Sequence, residues 1–230
     1  MTTAVKHLYR TLLTLDGNHP TVRTAVLDVH YLHDLVMSPY RHRFPNGWNG
    51  ARQAMEILYA TQPQRDSTLK VMIQSGQAPN WAPPDPTILA AEIQQWAFTP
   101  DFRPGQIVPF RLRCNPTRTP PTRNHTAPPK NRQFISDPAA RLTWLRHQLS
   151  RIGAELHDAT ETPDRADLRS EHKSLPPNQR RTVTAMFNIS TVVFTGQLTI
   201  TDPNSVAAGI RTGIGPGKAY GAGLLLTQRT

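Results

Sequence analysis

The order in which two-residue and 3.6-residue apolar periodicities follow one another constrains this chain more than any single motif. Residues 7–15 read as a first strand ended by the turn Asp16-Gly17-Asn18, and Asp28 then opens a short helix. In that helix Val29, Leu32 and Val36 recur at i, i+3 and i+7 and mark one buried stripe, with His30 and His33 on the adjoining face. Residues 54–59 and 68–74 form two further strands around a polar turn at 62–67. A proline cluster at 79–86, a short helix from Pro86 and a strand at 95–98 follow. The order strand, helix, strand, strand, helix, strand is that of a ferredoxin-like unit.

A second round then begins. Residues 106–114 give a strand, and the proline-rich basic stretch 116–129 gives a loop not expected to pack. Asp137-Pro138 supplies an N-cap and an N1 proline, Leu142, Leu145, Leu149 and Ile152 form an apolar stripe, and Gly153 sits at C′. Residues 154–175 are acidic and then mixed, with no clear period, so a long mobile excursion is expected there. Residues 182–200 hold β-branched and aromatic runs, 203–209 suit a short helix, and 222–227 close as a strand. The reading is an α+β chain of two tandem ferredoxin-like (RRM-like) domains with antiparallel sheets, at residues 1–100 and 101–230.

The chain has 26 Lys+Arg against 16 Asp+Glu, a formal net charge of +10. A polyanion is therefore the first partner to consider, and nucleic acid the leading one. The excess is rich in arginine, whose planar guanidinium suits bidentate phosphate contacts and base stacking. Cys114 is the single cysteine, which excludes an internal disulfide framework and a thiolate zinc cluster. No run approaches the roughly 18 apolar residues of a membrane span, and the N-terminus lacks the apolar block of a secretory signal. A soluble, cytoplasmic protein without membrane attachment is expected.

Residues 213–225 read GIGPGKAYGAGLL. Glycines at this density let a backbone approach another surface closely. A phosphate-binding P-loop needs glycine at position 212 and Ser or Thr after the lysine, where this chain has Thr212 and Ala219. The dinucleotide pattern fails at Tyr220.

That segment resembles the GIGxxKxxGxGLL signature of the CRISPR-associated RNA-processing endonucleases, in the CasE subgroup of type I-E systems. Residues 110–119, FRLRCNPTRT, resemble the subgroup's FRLRxNPxxT strand and turn. Residues 28–35, DVHYLHDL, resemble its Asp-x-x-x-Leu-His helix start. The resemblance implies tandem ferredoxin-like domains that bind the hairpin of a CRISPR repeat transcript, cut at its base without metal or cofactor, and stay bound as a subunit of a multisubunit surveillance complex.

It also implies roles for particular residues. His33 matches the catalytic histidine, and His30 stands where the family often has tyrosine, so the two could form an acid–base pair on one helix face. A zinc site built on them lacks a third ligand at any recognised spacing, and a surface role for His30 stays open. A cationic stabiliser is expected near Lys173, Arg180 and Arg181. RNA contacts are expected from a basic strip of Arg111, Arg113, Arg118, Arg123, Lys130 and Arg132, joined by Arg146 and Arg151. Gly213, Gly215 and Lys218 are expected to position RNA. Two alternatives remain: a non-catalytic subunit that holds the hairpin, and an RRM-like binder of single strands, which the absence of a stacked aromatic pair ranks last.

Overall fold

The computed structural model describes residues 7–45, 50–81, 85–120, 132–164 and 189–227. Two four-stranded antiparallel sheets organise them. The first takes β1 (Leu8–Asp16), β2 (Leu58–Pro63), β3 (Thr68–Ser75) and β4 (Gln94–Phe98) in the order β2-β3-β1-β4. The second takes β5 (Ile107–Cys114), β8 (Ala154–Pro163), β9 (Val192–Ile200) and β10 (Leu225–Thr227) in the order β10-β5-β9-β8. Numbered within its own sheet, the first set of strands runs 2-3-1-4 and the second 4-1-3-2, the same order read from the opposite edge, so both halves share the ferredoxin-like arrangement. A short ribbon, β6 (Thr117–Arg118) with β7 (Gln133–Phe134), leaves the second sheet.

The first half carries α1 (Pro20–Leu27), α2 (Val29–Met37) and a single turn, α3 (Ala51–Ala54). Leu13, Leu15, Val71 and Ile73 of the sheet pack there against Leu32 and Val36 of α2. The second half carries α4 (Pro138–Arg151) and α5 (Pro203–Thr212), whose Leu145, Leu149, Val206 and Ile210 cover Leu112, Phe194 and Leu198. Asp137 caps α4 by accepting from the Ala140 amide at 2.9 Å, and Gly153 ends it at φ +74°, as the sequence signals require.

Four expectations shift. Asp28 opens its helix as expected, but that helix is the second of two: α1 precedes it, capped by His19 with Pro20 at N1. Residues 51–54 are helical, so the strand expected at 54–59 runs instead from Leu58 to Pro63. The ribbon β6–β7 occupies part of the basic loop, whose residues 121–131 lie outside those described. The excursion expected from residue 154 begins with ten residues of ordered edge strand, β8, paired along β9. A register shift between Leu156 and Asp158 interrupts its alternation, and its open face is polar, so its period is hidden in the sequence. Residues 165–188 lie outside those described.

The halves are not independent. Leu8 of β1 belongs to the second core, and the outer face of the first sheet, at Leu58 and Ala60, closes on Leu224. The Gln74 amide donates to the Ile210 carbonyl at 2.8 Å, and Arg211 pairs with Glu56 at 2.9 Å. This seam brings the glycine-rich segment beside α2.

Candidate active site and nucleic-acid interface

Asp28 sets the site from the backbone upward. Its extended conformation (φ −120°) stops α1, and its carboxylate accepts from the His30 amide at 2.9 Å to start α2. The restart turns Val29 inward against Ile189 and Tyr220. His30 and His33, one turn apart, then share the face that meets the 3-10 turn Lys218–Tyr220. The His30 ring meets the Tyr220 ring edge-on, with centroids 5.5 Å apart and planes at 88°.

His33 is half-buried, and its Nδ1 is buried without a hydrogen-bond partner. Burial pulls its proton affinity below the ordinary value of 6.5, and Arg52 and His30 push the same way. Asp34 and the Ala219 backbone act against them. The imidazole is therefore biased to the neutral form near pH 7, the form that accepts a proton.

Arg52 is the residue that sequence reading missed. It stands on α3, and its guanidinium donates to the Ile57 carbonyl at 2.9 Å, which fixes its reach. Its influence is felt at both His33 and Lys218. Lys218 is half-buried, and burial first, then Arg52, lowers its proton affinity. Arg52 thus acts on both His33 and Lys218, and its cation can attract a phosphodiester and stabilise charge gathering on it. The one signal in the sequence was the helix-forming run Ala51-Arg52-Gln53-Ala54 after Gly50, overlapped by a reading of strand.

The glycine-rich segment forms a closed loop rather than a phosphate cradle at a helix start. Ile214 N–H donates to the Gly223 carbonyl at 2.8 Å, and Gly223 N–H donates to the Arg113 carbonyl at 2.7 Å. Gly217 and Gly221 flank the 3-10 turn in left-handed conformations. At Gly221 a Cβ would also meet the Tyr59 ring at 2.9 Å, so glycine is required twice over. The Tyr59 hydroxyl donates to the Ala219 carbonyl at 3.0 Å, fastening the loop to the first sheet.

The expected basic strip divides. Arg113 is only 2 % exposed; it pairs with Asp164 and donates to the Gly221 carbonyl at 3.3 Å. It is a support of the loop and not part of an exposed strip, because Arg113 lies on the β5 face turned to the seam. Arg111 is half-buried, and burial lowers its proton affinity. Arg118, Arg132, Arg146 and Arg151 are exposed. Gly213, Gly215 and Lys218 line a cavity between the glycine-rich loop and α4. Arg123, Lys130, Lys173, Arg180 and Arg181 lie outside the described residues.

Two ferredoxin-like sheets, with a half-buried histidine and an arginine gathered at their seam, define a class of protein suited to handling a nucleic-acid backbone. Within that class the chain belongs to the CRISPR associated protein family, whose model matches residues 8–229. It is 30% identical over 171 residues to the CRISPR-associated endoribonuclease Cse3 of Thermus thermophilus, spanning 74% of this chain and 78% of that one. It is 26% identical over 205 residues to the CRISPR system Cascade subunit CasE of Escherichia coli K12, spanning 86% and 90%. Its fold matches that of Thermus thermophilus Cse3 bound to an RNA representing a pre-cleavage complex, with a TM-score of 0.76 at 23% identity over 97% of this chain and 100% of that one.

Proposed function

We propose that this chain is the endoribonuclease of a type I-E CRISPR system, cutting the repeat transcript at the base of its hairpin to release guide RNA. It stays bound to the product as a subunit of the surveillance complex, a role carried in the name of its Escherichia coli relative. It acts in the cytoplasm. Residues 1–100 form the domain that carries the catalytic histidine, and 101–230 the domain that carries the glycine-rich loop and the basic surface.

The observation that carries this reading is His33, half-buried near Arg52 on the helix that meets the turn Lys218–Tyr220, with burial lowering its proton affinity. RNA supplies its own nucleophile, the ribose 2′-OH, so the reaction requires only a base, an acid and positive charge. His33 takes the 2′-OH proton as the 2′ oxygen attacks phosphorus. The bond to the 5′ oxygen breaks and that oxygen gains a proton, leaving a 2′,3′-cyclic phosphate and a 5′-OH. His30, whose ring lies edge-on to Tyr220, supplies that second proton in this reading. Arg52 and Lys218 stabilise the phosphorane. Lys173, expected from the sequence as a stabiliser, lies outside the described residues.

Cleavage of the host repeat hairpin in EDTA by wild type, His33→Ala and His30→Ala tests the proposal, with product ends mapped. Wild type is expected to cut to a cyclic phosphate, His33→Ala to lose about 10²- to 10⁴-fold in single-turnover rate, and His30→Ala to lose rate with binding retained. Hairpin bound but uncut by wild type overturns the enzymatic reading. Full rate in His30→Ala removes the two-histidine pair.

A further inference from the structure

A second site adjoins the glycine-rich loop. A cavity of about 450 Å³ opens between α4, the base of the β6–β7 ribbon, the end of α5 and residues 213–218. Its volume is that of a small-ligand pocket. Arg132, Arg151 and Lys218 bring positive charge to its walls, and among the described residues none that lines it is acidic. Trp144 contributes an indole, Gln148 an amide and Thr212 a hydroxyl. The indole reaches its place because residue 215 is glycine: a Cβ there would lie 2.9 Å from Trp144 Cζ2 and Cη2.

A planar aromatic surface, an amide that both donates and accepts, and cations without a carboxylate match a nucleotide: a base to stack and read, a phosphate to neutralise. Lys218 and Ala219 fix where that nucleotide belongs. They are successive residues, about 3.8 Å apart at Cα, and Lys218 lines the cavity while the Ala219 backbone acts on His33. A nucleotide held in the cavity is thereby a near neighbour of a phosphodiester at His33.

We infer that the cavity bounded by Trp144, Gln148, Arg151 and Lys218 holds one unpaired nucleotide of the RNA, next to the hairpin base, and so selects where the enzyme cuts. The inference rests on the endoribonuclease reading. Its test is the affinity and cut position of wild type, Gln148→Ala and Trp144→Phe on repeat hairpins in which each unpaired nucleotide flanking the stem is replaced in turn by an abasic ribose.

In wild type, one abasic position should weaken binding about tenfold and blur the cut. Both variants should lose that discrimination, with Gln148→Ala as the surface change that spares the indole packing. Equal binding of every abasic RNA by wild type, or an undiminished gap in both variants, overturns the inference while leaving the enzyme's activity in place. RNA that is neither bound nor cut overturns the endoribonuclease reading, and this one with it.

Discussion

At the scale of the residue, the base proposed at His33 depends on surroundings that oppose its charge. Burial is the largest influence, and Arg52 and His30 add to it, so the ring is neutral at a pH where an ordinary histidine is partly protonated. A base must be unprotonated to act, so the acidic limb of the cleavage rate is expected below pH 6.5. A pH series of single-turnover rates measures it; a limb above that value would reverse the assigned role. Removing the Arg52 cation should raise the His33 value, moving the limb towards neutrality. Arg52→Gln is also expected to slow cleavage about 10²-fold through loss of positive charge at phosphorus. His33 was legible because one short helix and its cap carry the whole signal. Arg52 was not, because its significance lies in its closeness to α2 and the loop, which no local pattern encodes. Arg113 was misplaced for a related reason: alternation along β5 tells which face an arginine takes, but not that a second sheet covers that face.

At the scale of the element, legibility followed where the stabilising partners lie. For α4 the cap, the first-turn proline, the stripe and the terminal glycine are all within the helix, and its bounds could be read directly. In α1 the cap is a histidine, whose Nδ1 accepts from the Thr21 amide at 3.3 Å, a role that sequence rules give to Ser, Thr, Asp or Asn. For β8 the partner is β9, beyond a long intervening segment, and the register shift breaks the pattern. The junction between α1 and α2 is where structure and chemistry meet most closely. Asp28→Ala should cost about 1 kcal/mol of stability and lower the cleavage rate more than it lowers hairpin affinity, because the cap sets the direction of the two histidines. Thermal unfolding and single-turnover rates on one preparation check both halves of that expectation. Asp28→Asn keeps a capping oxygen and is expected to restore most of each.

At the scale of the whole molecule, the positive charge is divided between a seam and a surface. Arg113 and Arg211 spend theirs on Asp164 and Glu56, while Arg118 and Arg146 remain exposed and available to phosphates. Charge-removing substitution of Arg118 and Arg146 together should flatten the slope of log affinity against log salt, by about one unit for each phosphate that is no longer neutralised. Titration of hairpin binding across salt concentrations gives the slope, and an unchanged value would place the stem elsewhere. The two sheets themselves were legible, because each repeats a known order of strands; their shared seam was not, since the residues that form it look like ordinary strand and turn. That seam also joins the two ends of the chain. Leu58 and Ala60 stay uncovered until Leu224 arrives, and His33 lacks its Ala219 neighbour until the same stretch is made. On the ribosome, the first half must therefore wait with an apolar face open while nearly all the rest is translated. A chain released before this stretch would carry its histidines without their Ala219 neighbour, and is expected to cut no RNA.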